Sequence, residues 1–133
     1  RFAQPVEEAA EWQAAAESRF RKSLRAWAAR CRDVGAELIV VIIPDGPYVS
    51  EAAARGMRAV GYDVPASLLT TTVCQDVVTD ICRELDVPVI NPVAEFRKAA
   101  DGVDYFELDG HFTPQGQKRL AAAVARKIRP KID

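Results

Sequence analysis

Residues 37–43, Glu-Leu-Ile-Val-Val-Ile-Ile, form a near-continuous apolar run that Pro44 closes. A run this short, with no polar alternation, suits a strand buried on both faces, as in a parallel sheet. A second, shorter strand is expected from Val87 to Ile90, ending at Asn91-Pro92. Helical periodicity surrounds both. Over residues 6–32, Trp12, Ala16, Phe20, Leu24, Trp27 and Cys31 recur every three or four positions and predict one long amphipathic helix with these residues, both tryptophans included, facing the core. Gly35 supplies its stop. A short helix around 50–59, broken near Gly56 and Gly61, lies in a mixed segment. A helix over 66–85 carries Leu69, Val73, Val77, Ile81 and Leu85 every fourth residue, and residues 93–99 make one or two helical turns. Thr113-Pro114 opens a last helix as N-cap and first helical residue; Leu120, Val124 and Ile128 give its apolar face, and Pro130 limits it.

Helix, strand, helix, strand, helix is the order of an α/β chain. The expectation is a single domain over residues 1–133, built as a three-layer α/β/α parallel sheet of the flavodoxin-like kind. Two strands are too few for it, since three amphipathic helices have too little sheet to cover. The chain therefore reads as an incomplete half-domain. The missing strands belong either to a segment outside these residues or to another copy in a homo-oligomer.

Composition narrows the function. Eighteen Lys and Arg against nineteen Asp and Glu leave a net charge of −1, so no global basic field exists to hold nucleic acid. Basic residues at 19–32 and 118–131 read as solvated helix faces. No apolar run approaches the roughly 20 residues of a transmembrane helix, and the first residues lack the order of a signal peptide. Cys74 and Cys82 fall in one expected helix, about 12 Å apart, too far for a disulfide. Core thiols are the expectation for the three cysteines, and no metal-ligand spacing links them.

Chemistry concentrates near the end of the chain. His111 is the only histidine, and Asp109 precedes it by two residues in Asp-Gly-His-Phe-Thr-Pro-Gln-Gly. Gly110 allows a sharp turn that brings the carboxylate back to the imidazole. Such a carboxylate fixes the ring tautomer and stabilises the imidazolium. The plainer alternative is that both residues cap the last helix or face solvent. Asp104, Glu107, Asp109 and His111 also offer oxygen ligands with one imidazole, a minor metal reading. Asp45, Gly46 and Tyr48 follow the first strand, either as an ordinary turn or as the lining of a substrate cleft.

The block from Tyr105 to Ile128 resembles the closing block of the SGNH (GDSL-like) hydrolase superfamily. Tyr105, Phe106, Asp109, Gly110, His111, Pro114 and Gly116 stand at matching places. The upstream strand, helix, short strand and loop agree in order over about residues 20–128. The resemblance implies acyl transfer by a serine nucleophile, with His111 as general base and Asp109 orienting it, and with neither cofactor nor metal. It implies an acylated carbohydrate or lipid as substrate and modestly favours an extracytoplasmic setting. One residue between Asp and His is the spacing of the membrane-associated and alginate-acetylation branches.

The family's Gly-Asp-Ser block has no counterpart. Ser18, Ser23, Ser50 and Ser67 are the only serines, and none follows Gly-Asp. The resemblance thus covers the C-terminal portion of such a domain, supplying half of the machinery, and the chain alone is expected to be inactive. The rival expectation is a non-catalytic module that binds a saccharide or protein, or that oligomerises.

Overall fold

The computed structural model describes residues 6–99 and 102–128. These divide into two compact units, one drawn from residues 1–40 and 73–89, the other from 41–72 and 90–133.

The first unit pairs α1 (Val6–Asp33) with α4 (Val73–Glu84). Leu24 and Ala28 of α1 are buried with Ile81, Cys82 and Val87, and Phe20, Val77, Val78 and Leu85 pack around them. The contacts follow from the spacing: residues four apart share one helix face. Beyond the end of α1, Gly35 takes φ +70° while the Ala36 amide donates to the Cys31 carbonyl at 2.8 Å, satisfying an end carbonyl. On the surface, Arg21 Nε donates to Glu84 Oε2 at 2.9 Å.

The second unit holds α2 (Gly46–Val49), α3 (Glu51–Ala59), a 3₁₀ turn (Ala66–Leu69), α5 (Val93–Arg97) and α6 (Pro114–Ile128). Ser50 caps α3, its Oγ accepting from the Ala53 amide at 3.1 Å. Arg97 ties the unit together by donating to the Tyr48 and Thr71 carbonyls. Val49, Ala53, Val93, Phe96 and Tyr105 form the core, with Phe112 and Leu120 packed against it. Thr113 caps α6, accepting from the Gly116 amide at 3.2 Å as its hydroxyl donates to the Val103 carbonyl at 2.6 Å.

The expected three-layer α/β/α parallel sheet is not formed. The described residues are mostly helical, and the sheet is one parallel pair, β1 (Val40–Val41) beside β2 (Val89–Ile90). The Val40 amide donates to the Pro88 carbonyl in the first unit, and the Ile42 amide to the Ile90 carbonyl in the second. A strand is stabilised by partners on both edges. The 37–43 run has one partner strand among the described residues, so regular pairing ends quickly and Ile43 is left 67% exposed.

Other expectations shift for local reasons. The 66–85 helix splits, because residues 66–69 form the 3₁₀ turn and α4 starts only at Val73. α3 runs through Gly56 rather than breaking there. Trp12 and Trp27 are exposed, not core, and Cys74 is exposed while Cys82 is buried. Burial of α1 centres on Leu24 and Ala28, which leaves the tryptophans on its flank. Pro130 lies outside the described residues. No helix among the described residues is long and apolar enough to cross a membrane.

Candidate functional site

The Asp-Gly-His segment is the tip of a small hairpin in the second unit. Tyr105 and Phe112 form an antiparallel bridge, and the Phe106 amide donates to the His111 carbonyl at 2.8 Å. Gly110 makes the turn with φ +70°, a conformation that a side chain strains.

The base of the hairpin is anchored by aromatic packing. The Tyr105 and Phe112 ring centroids lie 4.9 Å apart, and Phe96 of α5 sits 5.4 Å from Phe112. Each such pair contributes about 1 kcal/mol beyond its burial. The Tyr105 hydroxyl donates to the Pro44 carbonyl at 2.9 Å. Burial, then the charges of Asp104 and Asp45, push its pKa far above the ordinary phenol value, so it stays a neutral donor.

Asp104, one residue before the bridge, is buried and accepts from Arg119 Nε of α6 at 2.8 Å. Its other oxygen, Oδ1, is buried without a hydrogen-bond partner. Asp104→Ala is expected to destabilise the protein by about 2 kcal/mol, because Arg119 loses a charge-assisted partner in a largely enclosed setting. Urea denaturation checks this value.

At the tip, Asp109 Oδ1 accepts from the His111 amide at 2.9 Å. The same oxygen lies 3.5 Å from His111 Nδ1. The carboxylate thus folds back over the glycine to the ring, as the turn at Gly110 allows, in contact rather than in a short hydrogen bond. Both side chains are open to solvent, His111 at 83% and Asp109 at 59%. Thr113, not this pair, caps the last helix.

A shallow cleft of about 240 Å³ opens beside the ring, lined by Ile43, Pro44, Asp45, Tyr105, Asp109 and His111 among others. Asp45 belongs to it as one of the two sequence readings allowed. A Cβ added at Gly110 would lie 3.9 Å from Asp45 Oδ1. Asp45 is exposed, yet partial loss of solvent raises its pKa above the ordinary 3.8, outweighing the Gly46 amide and the His111 charge, which lower it. The sign follows directly. A raised folded-state pKa means stability that is present at low pH and lost as pH rises through the folded value. Asp45→Asn is therefore expected to raise the thermal midpoint at neutral pH, with the gain shrinking as the buffer is taken below pH 4. Paired melts across that range check it.

No serine is among the described residues that line this cleft. Ser50 lines a different hollow, with Arg97 and Asp104, and caps α3. Ser18 and Ser23 lie on α1 and Ser67 in the 3₁₀ turn. The minor metal reading does not come together either. Asp104 turns inward to Arg119, and no group of three or more His, Cys, Asp or Glu among the described residues could hold an ion. No family model matches the chain, and no curated protein matches its sequence.

Proposed function

We propose that Asp109 and His111 are the general-base half of an acyl-transfer site whose nucleophilic serine is supplied from outside these 133 residues. The substrate class is a short acyl ester of a carbohydrate or lipid hydroxyl, as the resemblance to SGNH hydrolases implies. One observation carries the reading: a carboxylate lies against one nitrogen of the only imidazole, while the other nitrogen has no partner among the described residues and the ring borders a cleft.

The chemistry follows from that placement. Nε2 accepts the proton of a serine hydroxyl as its oxygen attacks the acyl carbonyl carbon. The imidazolium so formed is stabilised by Asp109 beside Nδ1. His111 then returns the proton to the departing alkoxide, leaving an acyl-serine. Water or an acceptor hydroxyl discharges it by the same steps, giving hydrolysis or transfer. The proposed role requires this 3.5 Å contact to shorten into a hydrogen bond when the site acts.

A cleft that no described serine lines equally suits a non-catalytic binding module, and turnover separates the two. The 133-residue chain alone is expected to hydrolyse p-nitrophenyl acetate no faster than buffer. A longer product of the same reading frame that includes a Gly-Asp-Ser block is expected to turn it over. Hydrolysis by the short chain that His111→Ala abolishes would place the nucleophile within these residues. A longer product with no acyl turnover would leave the binding module as the correct reading.

A further inference from the structure

Asp45 stands where a carboxylate ordinarily caps a helix, at the N-cap of α2, yet its side chain makes no cap bond. It joins no ion pair among the described residues. Its place is instead in the wall of the cleft that His111 borders, beside the turn at Gly110. Partial loss of water makes its charge costly to hold there. A side chain that weakens the fold and leaves its usual local bond unmade is a mark of selection for function.

The charges around the cleft are one-sided. Asp45 and Asp109 supply two carboxylates, and no Lys or Arg is among the described residues that line it. Arginines elsewhere in the same unit are engaged: Arg119 with Asp104, Arg58 with Glu51, and Arg97 with two main-chain carbonyls. With the imidazole neutral, as a general base must be, the lining carries two negative charges and no positive one.

We infer that Asp45 sets the substrate charge this cleft accepts, favouring an ammonium group beside the ester and turning away a carboxylate or phosphate there. The inference rests on the acyl-transfer reading above and narrows its substrate class. A carboxylate donates no hydrogen bond, so Asp45 gives nothing to an oxyanion; it acts on affinity. A unit charge about 6 Å from one carboxylate in water-rich surroundings changes affinity by roughly two- to fivefold. Attraction of a cation and repulsion of an anion then separate the two ligands by at least about tenfold, which is a specificity.

Binding tests this directly, because the 133-residue chain is expected not to consume its ligands. Three acetyl esters span the charge: acetylcholine is cationic, 3,3-dimethylbutyl acetate is its neutral isostere, and acetoxyacetate is anionic. Each is titrated at neutral pH and low salt while the ring resonances of His111, the only histidine, are followed by nuclear magnetic resonance. Acetylcholine is expected to bind at least about tenfold more tightly than acetoxyacetate, with the neutral ester between them. Salt at about 0.5 M compresses that order. Asp45→Asn narrows the cation-to-anion ratio at least about threefold, whereas Asp63→Asn, which changes an exposed carboxylate outside the cleft lining, leaves it unchanged. Equal affinities, a preference for the acid, or an order that Asp45→Asn leaves intact overturns the inference. So does a ring that none of the three esters shifts. A longer product whose turnover depends on His111 but ignores substrate charge keeps the proposed base and removes this role of Asp45. A charge order in binding without turnover in the longer product keeps this role and removes the base.

Discussion

Replacing Gly56 with alanine is expected to cost the protein about 2–3 kcal/mol and to unseat the hairpin that carries His111. A Cβ at position 56 would overlap the Glu107 carbonyl oxygen and lie 2.6 Å from its carbon. Both partners are main chain, so no rotamer change relieves the overlap. Either α3 or the 105–112 hairpin must move. Alanine is the better helix former by up to about 1 kcal/mol, which would favour the variant if the space were open. The clash decides the sign. For a chain of this length the loss corresponds to a fall of about 10 °C in melting midpoint. Calorimetry that finds Gly56→Ala as stable as the parent would mean that α3 and the hairpin do not meet there.

His111→Ala is expected to act in the opposite manner, with a large effect on turnover and almost none on stability. On the proposed function, in a protein that includes the serine, this loss should lower kcat by roughly 10⁴-fold, about 5.4 kcal/mol of transition-state stabilisation. Asp109→Asn should lower it by a comparable or somewhat smaller factor, because the ring loses the group that sets its tautomer. Both side chains are solvent-exposed and contact little else, so unfolding free energies should stay within about 0.5 kcal/mol of the parent. The two predictions separate scaffold from chemistry. Gly56 concerns the hairpin's seating, whereas His111 and Asp109 carry the proposed chemistry.

Local signals in the sequence were the legible ones. The long helix, its glycine stop, the Thr113 cap and the turn at Gly110 each depend on a few neighbouring residues, and each is present in the structure. The approach of Asp109 to His111 was legible for the same reason, since Asx turns are closed within three residues. Gly56 was misread as a helix breaker because its need for hydrogen in place of a side chain arises from Glu107, 51 residues further along the chain. The strand run at 37–43 carried a parallel-sheet composition, but a strand's extent is set by partners that the run itself does not encode. The tryptophans fit a helical stripe by spacing, yet the unit's core lies further round the helix, at Leu24 and Ala28. Asp45 joined the cleft through the fold-back of residues 105–112, a contact with no signature in its own segment beyond its place after a strand.

The central claim is that Asp109 holds the imidazole so that the opposite nitrogen is free to take a proton. Because His111 is the only histidine, its two ring nitrogens can be read directly by nitrogen-15 nuclear magnetic resonance in the intact 133-residue chain at a pH where the ring is neutral. The account predicts that the proton resides mainly on Nδ1, facing the Asp109 carboxylate, and moves to Nε2 in Asp109→Ala. An imidazole already protonated on Nε2 in the parent, with the same spectrum in Asp109→Ala, would contradict it.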